Sequence, residues 1–189
     1  MRIVAGERRG AKLEAVPGLN TRPTADRVKE SLFNIIQTDI DGDTVVLDAF
    51  AGTGNLGLEA LSRGAKHAVF IERDPEALKV LRRNIKKCRY EDRAEVIEGD
   101  TLKVLERLKG REFDLILLDP PYLKNLYTAV ISLVIKYHLL SEYGILVSEH
   151  SKSTPFTCDE DDIECYKSKS YGETVLNFFR TTTSSWRES

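Results

Sequence analysis

The chain has 189 residues, 41% of them hydrophobic and 31% charged, with a formal net charge of −2. That length suits one domain, and the apolar content excludes a wholly disordered chain. Cys88, Cys158 and Cys165 are odd in number and lack C-x-x-C spacing, and His67, His138 and His150 stand apart with no H-E-x-x-H, so neither a disulfide framework nor a metal site is expected.

The opening "MRIVAGERRG" has no apolar signal core, and the longest apolar stretch, "AVISLVI", is too short to cross a bilayer. A soluble, monomeric cytoplasmic protein without a membrane association is expected. Charge is uneven along the chain. Residues 1–30 hold seven basic and four acidic side chains, a net +3 on a body that carries −5. A basic arm on an acidic body is compatible with a polyanionic partner.

In chain order, "RIVAGERRGAKLEAV" reads as two short strands around a Glu-Arg-Arg-Gly turn. Pro17-Gly18 then breaks the chain, and Thr24 is placed to cap a helix whose apolar face is Val28, Leu32, Phe33, Ile35 and Ile36. "TVVLDAF" is a continuous apolar run, as expected of a strand buried on both faces. The helix "NLGLEALSRG" follows, and then the strand "HAVFIE".

"RDPEALKVLRRNIKKC" reads as a helix with Asp74 as cap, Pro75 in the first turn and a buried stripe of Leu78, Leu81, Ile85 and Cys88. Strand "AEVIEGD", helix "TLKVLERLKG", strand "FDLILLD", helix "NLYTAVISLVIKYHLL" and strand "GILVSEH" complete the alternation. "IECYKSKSYGETVLNFFR" closes it as an antiparallel hairpin turning near Tyr171-Gly172, and "TTTSSWRES" reads as a loose tail.

Alternating strands and helices imply right-handed crossovers. The expected fold is α/β: a doubly wound, mostly parallel seven-stranded Rossmann-like sheet with an antiparallel C-terminal hairpin and a small N-terminal β-hairpin extension. Residues 1–40 would form the arm and its helix, 41–181 the main domain and 182–189 the tail.

The segment Gly52-Thr53-Gly54-Asn55-Leu56-Gly57 fits G-x-G-x-x-G, which alone does not identify a ligand. In a doubly wound sheet the site lies beyond the carboxyl ends of the strands, where helix N-termini favour anions. Asp48, four residues before Gly52, would repel a pyrophosphate there but attract a cationic ligand. At 4 Å and an effective dielectric near 20 the bare attraction is about 4 kcal/mol. S-adenosylmethionine carries a sulfonium, an ammonium and no phosphate, and suits the site better. Phe50, Gly52, Thr53 and Gly54 are then the loop residues expected to face it.

Glu72, followed by Arg73, ends the second strand of the alternation and is placed for ribose hydroxyls. Asp100, followed by Thr101, is placed for an adenine amine. Far downstream, "LILLDPPY" puts Asp119-Pro120-Pro121-Tyr122 at the end of a very apolar strand. Two prolines fix an extended path without N–H donors. The Asp119 carboxylate and the Pro120 carbonyl can hold both hydrogens of a planar exocyclic amine. Tyr122 can stack on a base, worth about 1–3 kcal/mol.

Asp-x-Phe-x-Gly-x-Gly followed by Asp-Pro-Pro-Tyr resembles class I S-adenosylmethionine-dependent amino-methyltransferases. "RIVAGERRGAKL", "RPTADRVKESLFN", "DAFAGTGNLGLEALSRGA" and "IERD" together resemble the RsmD family, over most of residues 2–122. That resemblance implies methylation of the N2 amine of a guanine in bacterial 16S rRNA, in a 30S assembly particle. It implies that Arg22, Thr24 and Arg27 close over the methionine part of the cofactor, and that Arg8, Arg9 and Lys12 contact rRNA phosphates.

The basic face of Lys79, Arg82, Arg83, Lys86 and Lys87 reads instead as a solvated surface. DNA adenine-N6 and protein glutamine methyltransferases use the same proline motif and remain alternatives, as does a non-catalytic RNA-binding module. A nicotinamide dehydrogenase is disfavoured by Asp48.

Overall fold

The computed structural model describes residues 1–17, 23–120, 124–156, 158 and 161–182, without the side chains of residues 23–25 and 124–125. The elements are α1 (Pro23–Ile35), β1 (Val45–Asp48), α2 (Asn55–Ser62), β2 (His67–Glu72), α3 (Pro75–Cys88), β3 (Ala94–Glu98), α4 (Thr101–Arg107), β4 (Phe113–Leu118), α5 (Lys124–Lys136), β5 (Leu140–Ser151), β6 (Ile163–Tyr171) and β7 (Thr174–Thr181). The strands form one seven-stranded sheet in the order β3-β2-β1-β4-β5-β7-β6. β1 to β5 pair in parallel, and β7 joins β5 and β6 antiparallel. This is the doubly wound α/β arrangement expected from the alternation.

The central strands are apolar throughout because both faces are covered. On one face Val46, Phe70, Leu117 and Val147 meet Leu32 and Phe33 of α1, Leu58 and Leu61 of α2 and Leu81 of α3. On the other, Leu47, Val69, Ile116 and Leu146 meet Leu105 of α4 and Val130 and Ile131 of α5. Each fully buried side chain of this kind contributes about 1.5–3 kcal/mol relative to exposure. Chain order runs outward from β1 to β2 and β3, then returns to β4 on the other side of β1. That reversal opens a crevice at the carboxyl ends of β1 and β4.

Asp74 caps α3 as expected, accepting from the N–H groups of Glu76 and Ala77, each at 2.8 Å. The stripe of Leu78, Leu81, Ile85 and Cys88 is buried. Three expectations need correction. The N-terminal hairpin is present but minimal: besides the antiparallel Arg2–Lys12 bridge, the N–H groups of Ile3, Gly10 and Leu13 donate to the carbonyls of Ala11, Ile3 and Met1 at 2.9, 2.8 and 3.0 Å, and the pairing is too short to make two strands. Next to this pairing the Val4 and Ala5 N–H groups donate to the Glu59 carboxylate at 2.8 and 3.0 Å, which fastens the arm to α2.

Second, α1 begins at Pro23, so Thr24 is helical and not its cap. Proline suits a first helical position, where its missing N–H would have no intrahelical partner. The cap position falls on Arg22, outside the described residues. Third, the helix expected to run through Leu140 stops at Lys136. His138 adopts a left-handed φ of 52°, and β5 starts already at Leu140.

Candidate active site at the carboxyl ends of the central strands

The glycine loop leaves β1 at Asp48 and enters α2 through Gly54, whose φ of 87° is left-handed. Gly52 has a φ of 53°, and no atom lies within 4 Å of where a Cβ would stand, so its backbone faces open space. Gly57 answers a different need. A Cβ there would collide with the Phe70 ring of β2, so this glycine lets α2 lie close on the sheet.

Asp48 is buried and accepts from the Gly57 N–H at 2.9 Å, which pins the first turn of α2 to the end of β1. Burial pushes its pKa up to about 7; the Gly57 hydrogen bond opposes the shift, and Asp119 and Glu72 reinforce it. Glu72 closes the loop from the other side. Its carboxylate accepts from the Gly52 N–H at 2.7 Å and from the Arg73 and Asp74 N–H groups at 2.8 Å each. A carboxylate offers about four acceptor sites, so one remains for a ligand hydroxyl.

A cavity beside this loop is lined by Asp48, Phe50, Ala51, Asn55, Leu56 and Asp119, with Lys29 from α1 and Glu149 from β5. Asp119 follows β4 and opens onto the cavity, with Pro120 buried behind it. Although solvent reaches it, the surrounding protein displaces much of its hydration and raises its pKa to about 6. Pro121 and Tyr122 lie outside the described residues, as does Arg22; the side chain of Thr24 is not described either.

The remaining expected residues are more scattered. Thr53 uses its carbonyl to accept from Asn84 Nδ2 at 2.9 Å. Asp100 caps α4 by accepting from the Leu102 N–H at 3.1 Å, and its other oxygen lies 3.4 Å from exposed Arg73. The Thr101 hydroxyl is buried and donates to the Ala49 carbonyl at 2.7 Å, a bond between α4 and the β1 end. Arg27 is exposed on α1 and does not line the cavity.

The arm residues separate. Arg9 and Lys12 are exposed. Arg8 is held down: its Nε donates to the Cys88 carbonyl at 2.8 Å, and its guanidinium lies 5.7 Å from the centre of the Tyr90 ring. It satisfies the C-terminal end of α3, so its charge serves the fold first.

Sequence reasoning missed Lys29, Glu59 and Glu149. Lys29 is fully buried, with Nζ donating to the Arg2 carbonyl at 2.6 Å and to Asn55 Oδ1 at 2.7 Å, 3.3 Å from Glu59 Oε2. Burial lowers its pKa against the pull of Glu59. Glu59 also receives Arg63 Nε at 2.9 Å. This network ties the arm, α1 and α2 together directly beneath the cavity. Glu149 was legible as an acid near the end of an apolar run, the same signal that marked Asp48 and Glu72.

Known proteins resemble the chain over most of its length. The family model described as "Conserved hypothetical protein 95" matches residues 1–180. The chain is 38% identical to the putative rRNA methyltransferase YlbH of Bacillus subtilis, over 95% of this chain and 98% of that protein. It is 40% identical to ribosomal RNA small subunit methyltransferase D of Haemophilus influenzae, over 85% of this chain and 84% of the relative. Among solved structures, the putative methyltransferase yhhF from Escherichia coli superposes with a TM-score of 0.86 at 30% identity, covering 96% of this chain and 97% of that one. The chain therefore belongs to the family described as Conserved hypothetical protein 95, the RsmD family of methyltransferases.

Proposed function

We propose that the protein transfers a methyl group from S-adenosylmethionine to the exocyclic N2 amine of a guanine in 16S ribosomal RNA. The observation that carries this reading is the crevice between β1 and β4, where a glycine loop and the acids Asp48 and Asp119 share one cavity. A clustered set of carboxylates fits a cationic ligand and disfavours a pyrophosphate. The open backbone at Gly52 and the spare acceptor site of Glu72 fit a ribose beside it. The arm, with Arg9 and Lys12 exposed, supplies cations for an RNA backbone.

When bound, the cofactor supplies a methyl group on a sulfonium. Phe50, Gly52, Thr53, Gly54, Glu72 and Asp100 would hold its nucleoside, and Asp48 its positive end. Asp119 and the Pro120 carbonyl would hold the two N–H hydrogens of the acceptor amine and aim its lone pair. Positioning of this kind supplies most of the rate, with reacting atoms about 3–3.5 Å apart. A guanine inside a helix must leave its stack to reach the cavity. The partner in this reading is a 30S assembly particle, met by a monomer in the cytoplasm.

The test is methyl transfer from labelled S-adenosylmethionine to unmodified 30S particles, naked 16S rRNA and DNA in parallel, followed by mapping of the modified nucleoside. N2-methylguanosine in 16S rRNA is the expected product. Asp119→Ala is expected to abolish transfer while calorimetry still detects cofactor binding. Label in DNA only, or undiminished turnover of that variant, would defeat the reading.

A further inference from the structure

One acid in the cavity has no part in the reading above. Glu149 projects from β5 into the same space as Asp48 and Asp119. β4 and β5 pair in parallel with Leu118 opposite Ser148, so the next residues along, Asp119 and Glu149, stand side by side at the carboxyl ends. Neighbouring strands lie about 4.8 Å apart, and residues two apart on a strand share a face. Asp48 pairs with Leu117, which puts all three carboxylates on the face covered by α1 and α2.

The strand end that carries Glu149 is held in place. The Tyr127 hydroxyl donates to the Glu149 carbonyl at 2.6 Å, and the Tyr127 ring stacks on Phe156 with centroids 4.7 Å apart. The carboxylates themselves are treated differently. Among the described residues, neither Asp119 nor Glu149 accepts a side-chain hydrogen bond. Lys29 is the cation nearest to hand in the cavity lining, but its Nζ already serves Arg2, Asn55 and Glu59. Acids kept for the fold are normally hydrogen-bonded. Two that stand together with no such partner among the described residues are placed for something that arrives.

We propose that Glu149 is a further catalytic residue, which forms with Asp119 a two-carboxylate acceptor for the proton shed by the methylated amine. This rests on the methyl-transfer reading above. As the N–C bond forms, the C–S bond breaks and its electrons stay on sulfur. The nitrogen is then left with one proton too many. That N–H bond breaks toward an oxygen of Asp119 or Glu149, and the proton leaves to solvent when the product departs.

The electrostatics suit the role. Burial and then repulsion from Asp119 raise the Glu149 pKa to about 8, beside the value of about 6 for Asp119. The other charged groups facing the pair are Asp48 and Lys29, with Glu72 behind Asp48. Two carboxyls held side by side in this way do not readily both ionise, so the pair binds a proton more tightly than either acid would alone. A base is most effective when its affinity for protons lies near the working pH. A sulfonium brought into the cavity would drive that proton out and leave the pair ready to accept.

Glu149→Gln keeps the shape and removes the charge, and two measurements read its effect. Calorimetry in buffers of different ionisation enthalpy counts protons released at pH 7 on binding S-adenosylmethionine and, separately, uncharged-sulfur S-adenosylhomocysteine. The wild type is expected to release more protons with the sulfonium, and Glu149→Gln to release measurably fewer than the wild type, with Asp48 supplying the remainder. Single-turnover transfer by the variant is expected to slow about 10²-fold, the lower end for a positioned base, with the acidic limb of its pH profile displaced and partial recovery in Glu149→Asp.

A wild-type value in either measurement overturns the proposal. The proton count needs no nucleic acid, so it stands even if mapping finds a different acceptor and the guanine reading falls. A wild type that fails to bind the sulfonium overturns both.

Discussion

Lys29 of α1 and Glu59 of α2 stand 3.3 Å apart with both side chains sealed from solvent. Removing one member of a buried pair leaves the other charge uncompensated, a loss of about 3–5 kcal/mol. Glu59→Ala also strips the acceptor from the Val4 and Ala5 N–H groups. The variant is expected to lose stability of that order in urea unfolding, and its arm to become protease-sensitive. A midpoint within error of the wild type would show that the pair holds nothing together.

Asp48 gives a pH dependence with a definite sign. Its folded pKa of about 7 lies above the ordinary value of 3.8, so its contribution to stability is full below about pH 4 and is lost as pH rises through 7. Asn at this position can still accept from Gly57 but cannot ionise. Asp48→Asn is therefore expected to gain on the wild type between pH 5 and pH 8 in parallel denaturant titrations. A constant difference, or one that shrinks with pH, contradicts the assignment.

Gly57→Ala would drive a methyl group into the Phe70 ring. Overpacking of this kind costs about 1–3 kcal/mol, and relief requires α2 to lift from β2. Because the Gly57 N–H donates to Asp48, the glycine loop moves with it. Reduced thermal stability together with weaker S-adenosylmethionine binding is expected. Full-strength binding in a destabilised variant would uncouple the loop from the helix packing.

Changing Arg9 and Lys12 to Glu is expected to weaken rRNA binding and to flatten its salt dependence by about one unit of slope per lost phosphate contact. Arg8→Ala should behave differently. Its guanidinium is committed to the Cys88 carbonyl, so the expected outcome is lower stability with a nearly unchanged salt slope. Filter-binding series across salt concentrations separate the two.

Much of the architecture was legible in the sequence because it depends on local patterns. Apolar runs such as "FDLILLD" announce strands covered on both sides, and Asp74-Pro75 announces a helix start. The candidate site was legible where chemistry sits at strand ends, as with Asp48, Glu72 and Asp119. What escaped depends on assembly. Lys29 reads as one more helix lysine until folding seals it against Arg2, Asn55 and Glu59. Arg8 reads as a phosphate ligand until α3 offers it an open carbonyl. The arm reads as a free-standing hairpin because nothing local shows that Glu59 will anchor its Val4 and Ala5 N–H groups to α2.

α2 has the loop at its first turn and the arm at its last, where the Ser62 carbonyl accepts from the Glu7 N–H at 2.8 Å and the Ser62 hydroxyl donates to the Ala5 carbonyl at 2.6 Å. Eight residues make a rod of about 12 Å. On the proposed reading, a load placed on the arm would be carried along this rod to the glycine loop. The arm and its rod are therefore expected to be inherited as one unit: a chimera that carries a foreign arm without its matching α2 should lose the moorings at Glu59 and Ser62.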